Sequence, residues 1–277
     1  MSYEAFRLML SRHAFSPRDA ARAGDIWRLF QDAAVLGSSR RGWGPERYEQ
    51  AQAALIVREM TVVHHREARF GPPIGVRTWV STFQRGMFSN RQIRLDLQGE
   101  GEHGEAAQPL ASATQRWVFV AMPQLKPARA PAELLDVFEL LDDEPDIELP
   151  AFEERGGGDT GPEHRFAFEA WHTWMDPLDH ANHPAYVDWI DEALSRVLAA
   201  AGIPAVELVA HAERVTFRAG VQAGERVTVV SRLAGQTADG HAVTAHRVLG
   251  ADDRLCAEAT VVRGLVTDGE RLVRALL

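Results

Sequence analysis

The run "WHTWMDPLDHANHPAYVDWIDEALSRVL", Trp171 to Leu198, gathers Asp176, Asp179, His180, Asn182 and His183 within eight positions and then becomes an amphipathic helix. A carboxylate can act as a general base or as a nucleophile, and an imidazole titrates near neutral pH and can pass protons. An amide can orient either one. A helix N-terminus presents unpaired N–H groups and a positive dipole end, where a developing oxyanion is stabilised. The same residues also read as plain architecture. Asp176-Pro177 favours a turn, and Asn182 is a good helix cap. His183 also sits at the cap position and reads as structural, and Asp179 as solvated.

Few other residues offer chemistry. His64 and His65 are neighbours on a predicted strand and face opposite ways, so one metal cannot easily take both. His241 and His246, five apart on another predicted strand, are also expected on opposite sides. No histidine or cysteine spacing resembles a metal site, so no metal and no cofactor is expected. Cys256 is the single cysteine, which excludes an internal disulfide and suits a reducing cytoplasm. It reads as a small buried residue. There is no G-x-S-x-G elbow and no Gly-rich phosphate loop, so serine-hydrolase and nucleotide-binding readings lack support.

The polar run needs a frame. The chain has 277 residues, of which 45% are hydrophobic and 25% charged, enough for one large domain or two small ones. A net charge of -9 argues against nucleic acid. No apolar stretch is long enough to span a bilayer, and the charged N-terminus does not read as a signal peptide. The first 48 residues carry Arg7, Arg12, Arg18, Arg22, Arg28, Arg40, Arg41 and Arg47 against five acids, while Glu133 to Asp159 is strongly acidic. Both are expected at the surface; a basic end would also attract an acidic partner.

The acidic, Gly- and Pro-rich segment Asp142 to His164 divides two halves of one plan. The expected organisation is a first unit over 1–141, a linker over 142–163 and a second unit over 164–277. In the first half Ile26, Leu29, Phe30, Ala33 and Val35 share a helix face, with Asp25 expected as N-cap and Gly37 as terminator. In the second, Tyr186, Trp189, Ile190, Ala193, Leu194, Val197 and Leu198 make a strong stripe that starts at Pro184 and stops at Gly202. Each helix precedes four strand-like runs: "ALIVREMTVVHH", "GVRTWVSTF", "RQIRLDLQG" and "ASATQRWVFVAM", then "AERVTFRAG", "ERVTVVSRLAG", "HAVTAHRVLG" and "CAEATVVRGLV". The loop "QGEGEHGEAAQP" reads as flexible. One helix and an antiparallel meander, twice, is an α+β architecture. Stripes this wide require a curved sheet to cover them.

These residues resemble the double hotdog acyl-ACP thioesterases over nearly the whole chain. That family carries D-x-N-x-H-V-N-N-x-x-Y-x-x-W ahead of its second helix, and "DPLDHANHPAYVDW" matches it at Asp176, His180, Asn182, Tyr186 and Trp189. The "DP" start and length also resemble the motif of hydroxybenzoyl-CoA-type hotdog thioesterases, where the aspartate is catalytic. "RTWV" and "ASATQRWVFV" followed by "KPARAP" resemble the first half of the acyl-ACP group. The sequence departs at Leu178, where the family has asparagine, and at Gly220 and Val221, near a Glu-Cys pair of the plant members.

The resemblance implies a tandem hotdog, each half a long helix wrapped by a curved antiparallel sheet. It implies hydrolysis of an acyl thioester of acyl carrier protein or coenzyme A, releasing a fatty or related acid. Asp176 would be base or nucleophile, His180 would orient water or protonate the thiolate, and Asn182 would hold the carbonyl or Asp176. Tyr186 and Trp189 would line core or acyl tunnel. Two fused hotdogs already form the pair that single hotdogs make by dimerising, so a cytoplasmic monomer or homodimer is expected. A hotdog hydratase fits less well: its histidine stands five positions after the aspartate, whereas His180 stands four after Asp176. A hotdog that binds acyl thioesters without turnover is the other alternative.

Overall fold

The computed structural model describes residues 3–97, 107–142, 144–155 and 161–277. The chain forms two compact units. One comprises the residues up to Ala21 together with Asp25–Glu148; the other comprises Leu149–Leu277 and the short piece Arg22–Gly24.

In the first unit the elements run β1 (Glu4–Leu8), α1 (Ala23–Arg40), α2 (Pro45–Gln50), β2 (Ala53–His64), β3 (Ile74–Gln84), β4 (Phe88–Leu97), β5 (Gln108–Ala121), β6 (Lys126–Pro127) and α3 (Ala132–Val137). The strands pair antiparallel in the order β1-β3-β4-β5-β2, with β6 added to β5. All four expected strands are present. The helix differs at both ends. It starts at Ala23, so Asp25 lies in its first turn and is not the cap, and it runs past Gly37 to Arg40. Gly37 serves close approach instead of termination. A Cβ there would stand 2.8 Å from Thr78 Cγ2 and 3.0 Å from Arg91 Nη1, so the missing side chain lets α1 lie against β3 and β4. Ser38 Oγ then accepts a hydrogen bond from Arg91 at 2.9 Å.

The acidic connecting segment is partly tied down. Asp146 accepts from Gln92 at 2.6 Å and Asn90 at 2.8 Å, and Glu144 from Arg94 at 2.9 Å. The "QGEGEHGEAAQP" loop falls mostly on residues 98–106, outside the described residues, as do 156–160.

The second unit repeats the plan with β7 (Phe152–Glu154), β8 (His164–Glu169), α4 (His183–Ala200), β9 (Leu208–Phe217), β10 (Arg226–Thr237), β11 (Ala242–Leu249), β12 (Leu255–Leu265) and α5 (Gly269–Leu276). Its strands pair β9-β12-β11-β10, and β7 and β8 both pair with β10. The α4 stripe is buried as its spacing requires: Tyr186, Val187, Trp189, Ile190, Leu194 and Leu198 are each at most 3% exposed. Each large apolar side chain so covered contributes about 1.5–3 kcal/mol. The chain turns off α4 at Gly202, whose φ of +70° is the left-handed conformation glycine tolerates.

Beneath α4 this core is polar at its centre. Arg263, fully buried, bonds Asp191 on α4 through Nε at 2.8 Å and Glu213 on β9 through Nη1. The carboxylates hold the guanidinium firmly protonated against its burial. His246 lies between two hydroxyls, Ser231 at Nδ1 and Thr244 at Nε2, each 2.8 Å away. Burial, with the Arg263 charge adding to it, pushes this imidazole down to about 3. The folded protein therefore refuses a proton that the unfolded chain takes up below about pH 6.5. Stability should be full above that value and fall as the pH drops from about 6.5 toward 3, by up to about 1.4 kcal/mol per pH unit. Urea melts of wild type and His246→Gln across this range test it; parallel acid limbs would refute the assignment.

Candidate active site

Asp176 and His180 are joined through their backbones across a tight loop. The Asp176 N–H donates to the His180 carbonyl at 2.8 Å, Asp179 N–H donates back to the Asp176 carbonyl at 2.9 Å, and Met175 and Ala181 bridge antiparallel at the base. Asp179 takes a φ of +57°, which aspartate tolerates better than most residues, and is solvent-exposed. Asp176 Oδ1 accepts the Leu178 N–H at 2.8 Å. The Asp-Pro turn is thus real, but it uses one carboxylate oxygen. Among the described residues no hydrogen bond occupies Oδ2, and Asp176 is half-buried. A turn and a reactive carboxylate are compatible in one side chain.

Asn182 occupies the N-cap position of α4, but its side chain makes no capping hydrogen bond. Its N–H donates to the Trp174 carbonyl at 2.8 Å, and the Ala181 N–H to the Val221 carbonyl at 2.8 Å. The first bond ties the polar loop to the residue that starts α4 and the second ties it to the segment ahead of β10, so the loop runs directly into the positive end of that helix. His183 packs edge-on against Phe217, with ring centroids 6.0 Å apart.

Gly220 explains one departure from the family pattern. A Cβ at this position would lie 2.2 Å from His180 Cδ2 and 2.6 Å from Cγ. The imidazole fills the space that a side chain at 220 would take. Gly220 is itself fixed, because Arg254 donates to its carbonyl at 2.9 Å while pairing with Glu225. Glu225 also accepts the N–H groups of Gln222 at 3.0 Å and Ala251 at 2.7 Å. Gly220→Ala should therefore displace His180 and, where His180 takes part in the reaction proposed below, lower turnover about tenfold or more, since small misplacements of such a group are that costly. The thermal midpoint should fall in Gly220→Ala and recover in Gly220→Ala/His180→Ala, while activity does not. Unchanged turnover in the single variant would place His180 outside the chemistry.

Tyr186 and Trp189 lie in the core, 2% and 3% exposed. Tyr186 donates to the Ala219 carbonyl at 3.4 Å, and burial holds its phenol protonated. Its ring packs on Trp189 at 4.6 Å and on Phe217 at 5.2 Å. The Trp189 Nε1–H is buried and has no acceptor among the described residues. Cys256 is fully buried, as its type suggested. His65 bonds Ser112 at 2.9 Å, and His241 stacks on His211 with centroids 3.7 Å apart. No cluster of three metal-ligating side chains occurs among the described residues.

The same loop occurs 160 residues earlier. A short 3-10 turn at Arg12–Ala14 precedes it, as His172–Trp174 does here. Phe15 and Ala21 bridge its base, Ser16 N–H donates to the Ala20 carbonyl at 2.9 Å, and Asp19 has a φ of +59°. The positions of Asp176, His180 and Asn182 hold Ser16, Ala20 and Arg22. The scaffold is duplicated, and the polar trio belongs to the second copy alone.

Residues 170–275, which carry that trio, match the model of the thioesterase-like superfamily. No curated protein matches the chain in sequence. Among solved structures, a putative oleoyl thioesterase from Lactobacillus plantarum superposes with a TM-score of 0.77 at 16% identity, covering 96% of this chain and 98% of that one. The 12:0-ACP thioesterase from Umbellularia californica gives 0.73 at 12% identity over 95% and 97%. An acyl-ACP thioesterase from Bacteroides thetaiotaomicron gives 0.71 at 14% over 94% and 97%. By fold, then, the chain is a double hotdog, and its residues 170–275 match the thioesterase-like superfamily model. The expected α+β tandem hotdog is the architecture found, and the superfamily match falls on the half that holds the polar loop.

Proposed function

We propose that this protein hydrolyses acyl thioesters of coenzyme A or acyl carrier protein, with Asp176 as general base or nucleophile. The observation that carries the reading is the Asp176–His180 loop lashed to the α4 N-terminus, with one carboxylate oxygen spent on the turn and the other not. Water activated by Asp176, or the carboxylate itself, attacks the thioester carbonyl. The helix N-terminus takes the developing oxyanion charge. His180 protonates the departing thiolate, and Asn182 orients the carbonyl or Asp176. Tyr186 and Trp189 line the acyl site, and the Trp189 Nε1–H offers a donor to a bound acceptor. The first unit carries no such chemistry, because Ser16 and Ala20 stand where the carboxylate and imidazole would be. Among the described residues no helix is long and apolar enough to cross a membrane; a cytoplasmic setting, where acyl thioesters are made and used, belongs to the proposal.

Thiol release from a panel of acyl-CoA and acyl-ACP substrates tests the reading. Hydrolysis of at least one class is the expected result. Acyl ligands bound without thiol release would make the protein a binding module.

A further inference from the structure

Trp171 is a large aromatic side chain left in water, 64% exposed. It is not loose. Its ring stacks on Trp174 with centroids 4.9 Å apart and planes 11° from parallel. Trp174 meets Trp189 of α4 at 5.5 Å and Phe168 of β8 at 5.7 Å, both edge-on. The backbone around Trp171 is pinned: the Ala170 N–H donates to the Glu225 carbonyl at 2.9 Å, the Ala170 carbonyl accepts from Gly224 at 2.8 Å, and the Trp171 carbonyl accepts from Trp174 at 3.1 Å. One indole face is thus covered and the other presents a flat, rigid surface at the entrance to the polar loop, five residues before Asp176.

The repeat shows that the fold does not require this surface. The equivalent positions in the first unit are Ser11 and Ala14, and the same 3-10 turn forms there without either indole. The aromatic pair, like the polar trio, occurs only in the second copy. Charge accompanies it. Arg254, about two-fifths exposed, is held by Glu225, the residue whose carbonyl anchors Ala170.

We infer that Trp171, backed by Trp174, is a stacking platform for the adenine ring of a coenzyme A thioester, with Arg254, tied to it through Glu225, for the phosphates. The inference rests on the hydrolase reading for the identity of the ligand and adds the carrier. An exposed indole face selects another π-face, and base–aromatic stacking is sequence-independent and strong enough to change affinity about tenfold. Of the two carriers of acyl thioesters, coenzyme A ends in a purine, whereas the arm of the carrier protein ends on a protein.

Two measurements test it. Calorimetric titration with free coenzyme A needs no turnover. Trp171→Ala should weaken binding about tenfold, and Trp171→Phe should retain most of it. Kinetics should show a KM for acyl-CoA raised about tenfold in Trp171→Ala at unchanged kcat, with acyl-pantetheine, which lacks the nucleotide, indifferent to the substitution. Because Trp171 is mostly exposed, the alanine variant is expected to fold. Coenzyme A binding equal in wild type and Trp171→Ala overturns the platform. So does a dependence on Trp171 confined to acyl-ACP, which would assign the indole to the carrier protein. Binding that depends on Trp171 without hydrolysis of any thioester upholds the platform and removes the hydrolase reading. Hydrolysis that needs Asp176 but coenzyme A binding blind to Trp171 does the reverse.

Discussion

Asp176→Asn should lower thioester turnover by about a hundredfold or more while leaving the protein folded. The substitution separates the two roles of the side chain. An asparagine Oδ1 accepts the Leu178 N–H as the carboxylate Oδ1 does, at 2.8 Å in the native loop, so the turn persists. What is lost is the negative oxygen that takes a proton or attacks carbon, and a general base contributes about 100- to 10,000-fold. The loss should fall on kcat more than on KM, because the interaction belongs to the transition state. Asp176→Ala should lose the same activity and destabilise the loop as well. Thiol-release kinetics with circular dichroism and thermal melts check both. An Asn variant with wild-type kcat would move the chemistry away from this loop.

Arg263→Ala should destabilise the second unit by about 3 kcal/mol or more, the largest stability effect expected of any single change here. The guanidinium is fully buried and joins Asp191 of α4 to Glu213 of β9. Removing it leaves two nearby carboxylates repelling each other in a poorly solvated place, together with a cavity. Pairing alone is not the point. A buried ion cluster is often no better than apolar packing of the same volume, but breaking one member is costly. Arg263→Met combined with Glu213→Leu and Asp191→Leu should therefore recover much of the loss. Urea denaturation gives both numbers, and a cost below about 1 kcal/mol for Arg263→Ala would mean that the cluster does not act as a unit. Activity should fall along with stability, since Asp191 lies two turns from the helix end that faces the polar loop.

Much of this was legible in the sequence because the signals are periodic and local. Eight strand-like runs became β2 to β5 and β9 to β12, and the α4 stripe from Tyr186 to Leu198 is buried residue for residue. The polar loop was legible as a cluster since its members lie within eight positions. What local pattern could not carry were meetings between distant segments. Gly37 looks like a helix stop until Thr78 and Arg91 are seen against it. Gly220 looks like a missing partner until His180, forty residues away, is found in its space. The connecting segment looked unstructured because its contacts are polar, through Glu144 and Asp146, and hydropathy does not register them. Strand β8 did carry a signal: "HRFAFE" alternates, with Phe166 and Phe168 on one face.

The twin loops have a stoichiometric consequence. Two copies of one backbone design are present, and one carries Ser16, Ala20 and Arg22 where the other carries Asp176, His180 and Asn182, so the proposed chemistry requires a single turnover centre per chain. If Asp176 attacks as a nucleophile, rapid-quench trapping should saturate at one acyl group per chain of 277 residues. The first loop also gives every experiment on the second an internal reference, matched in backbone and lacking the polar trio.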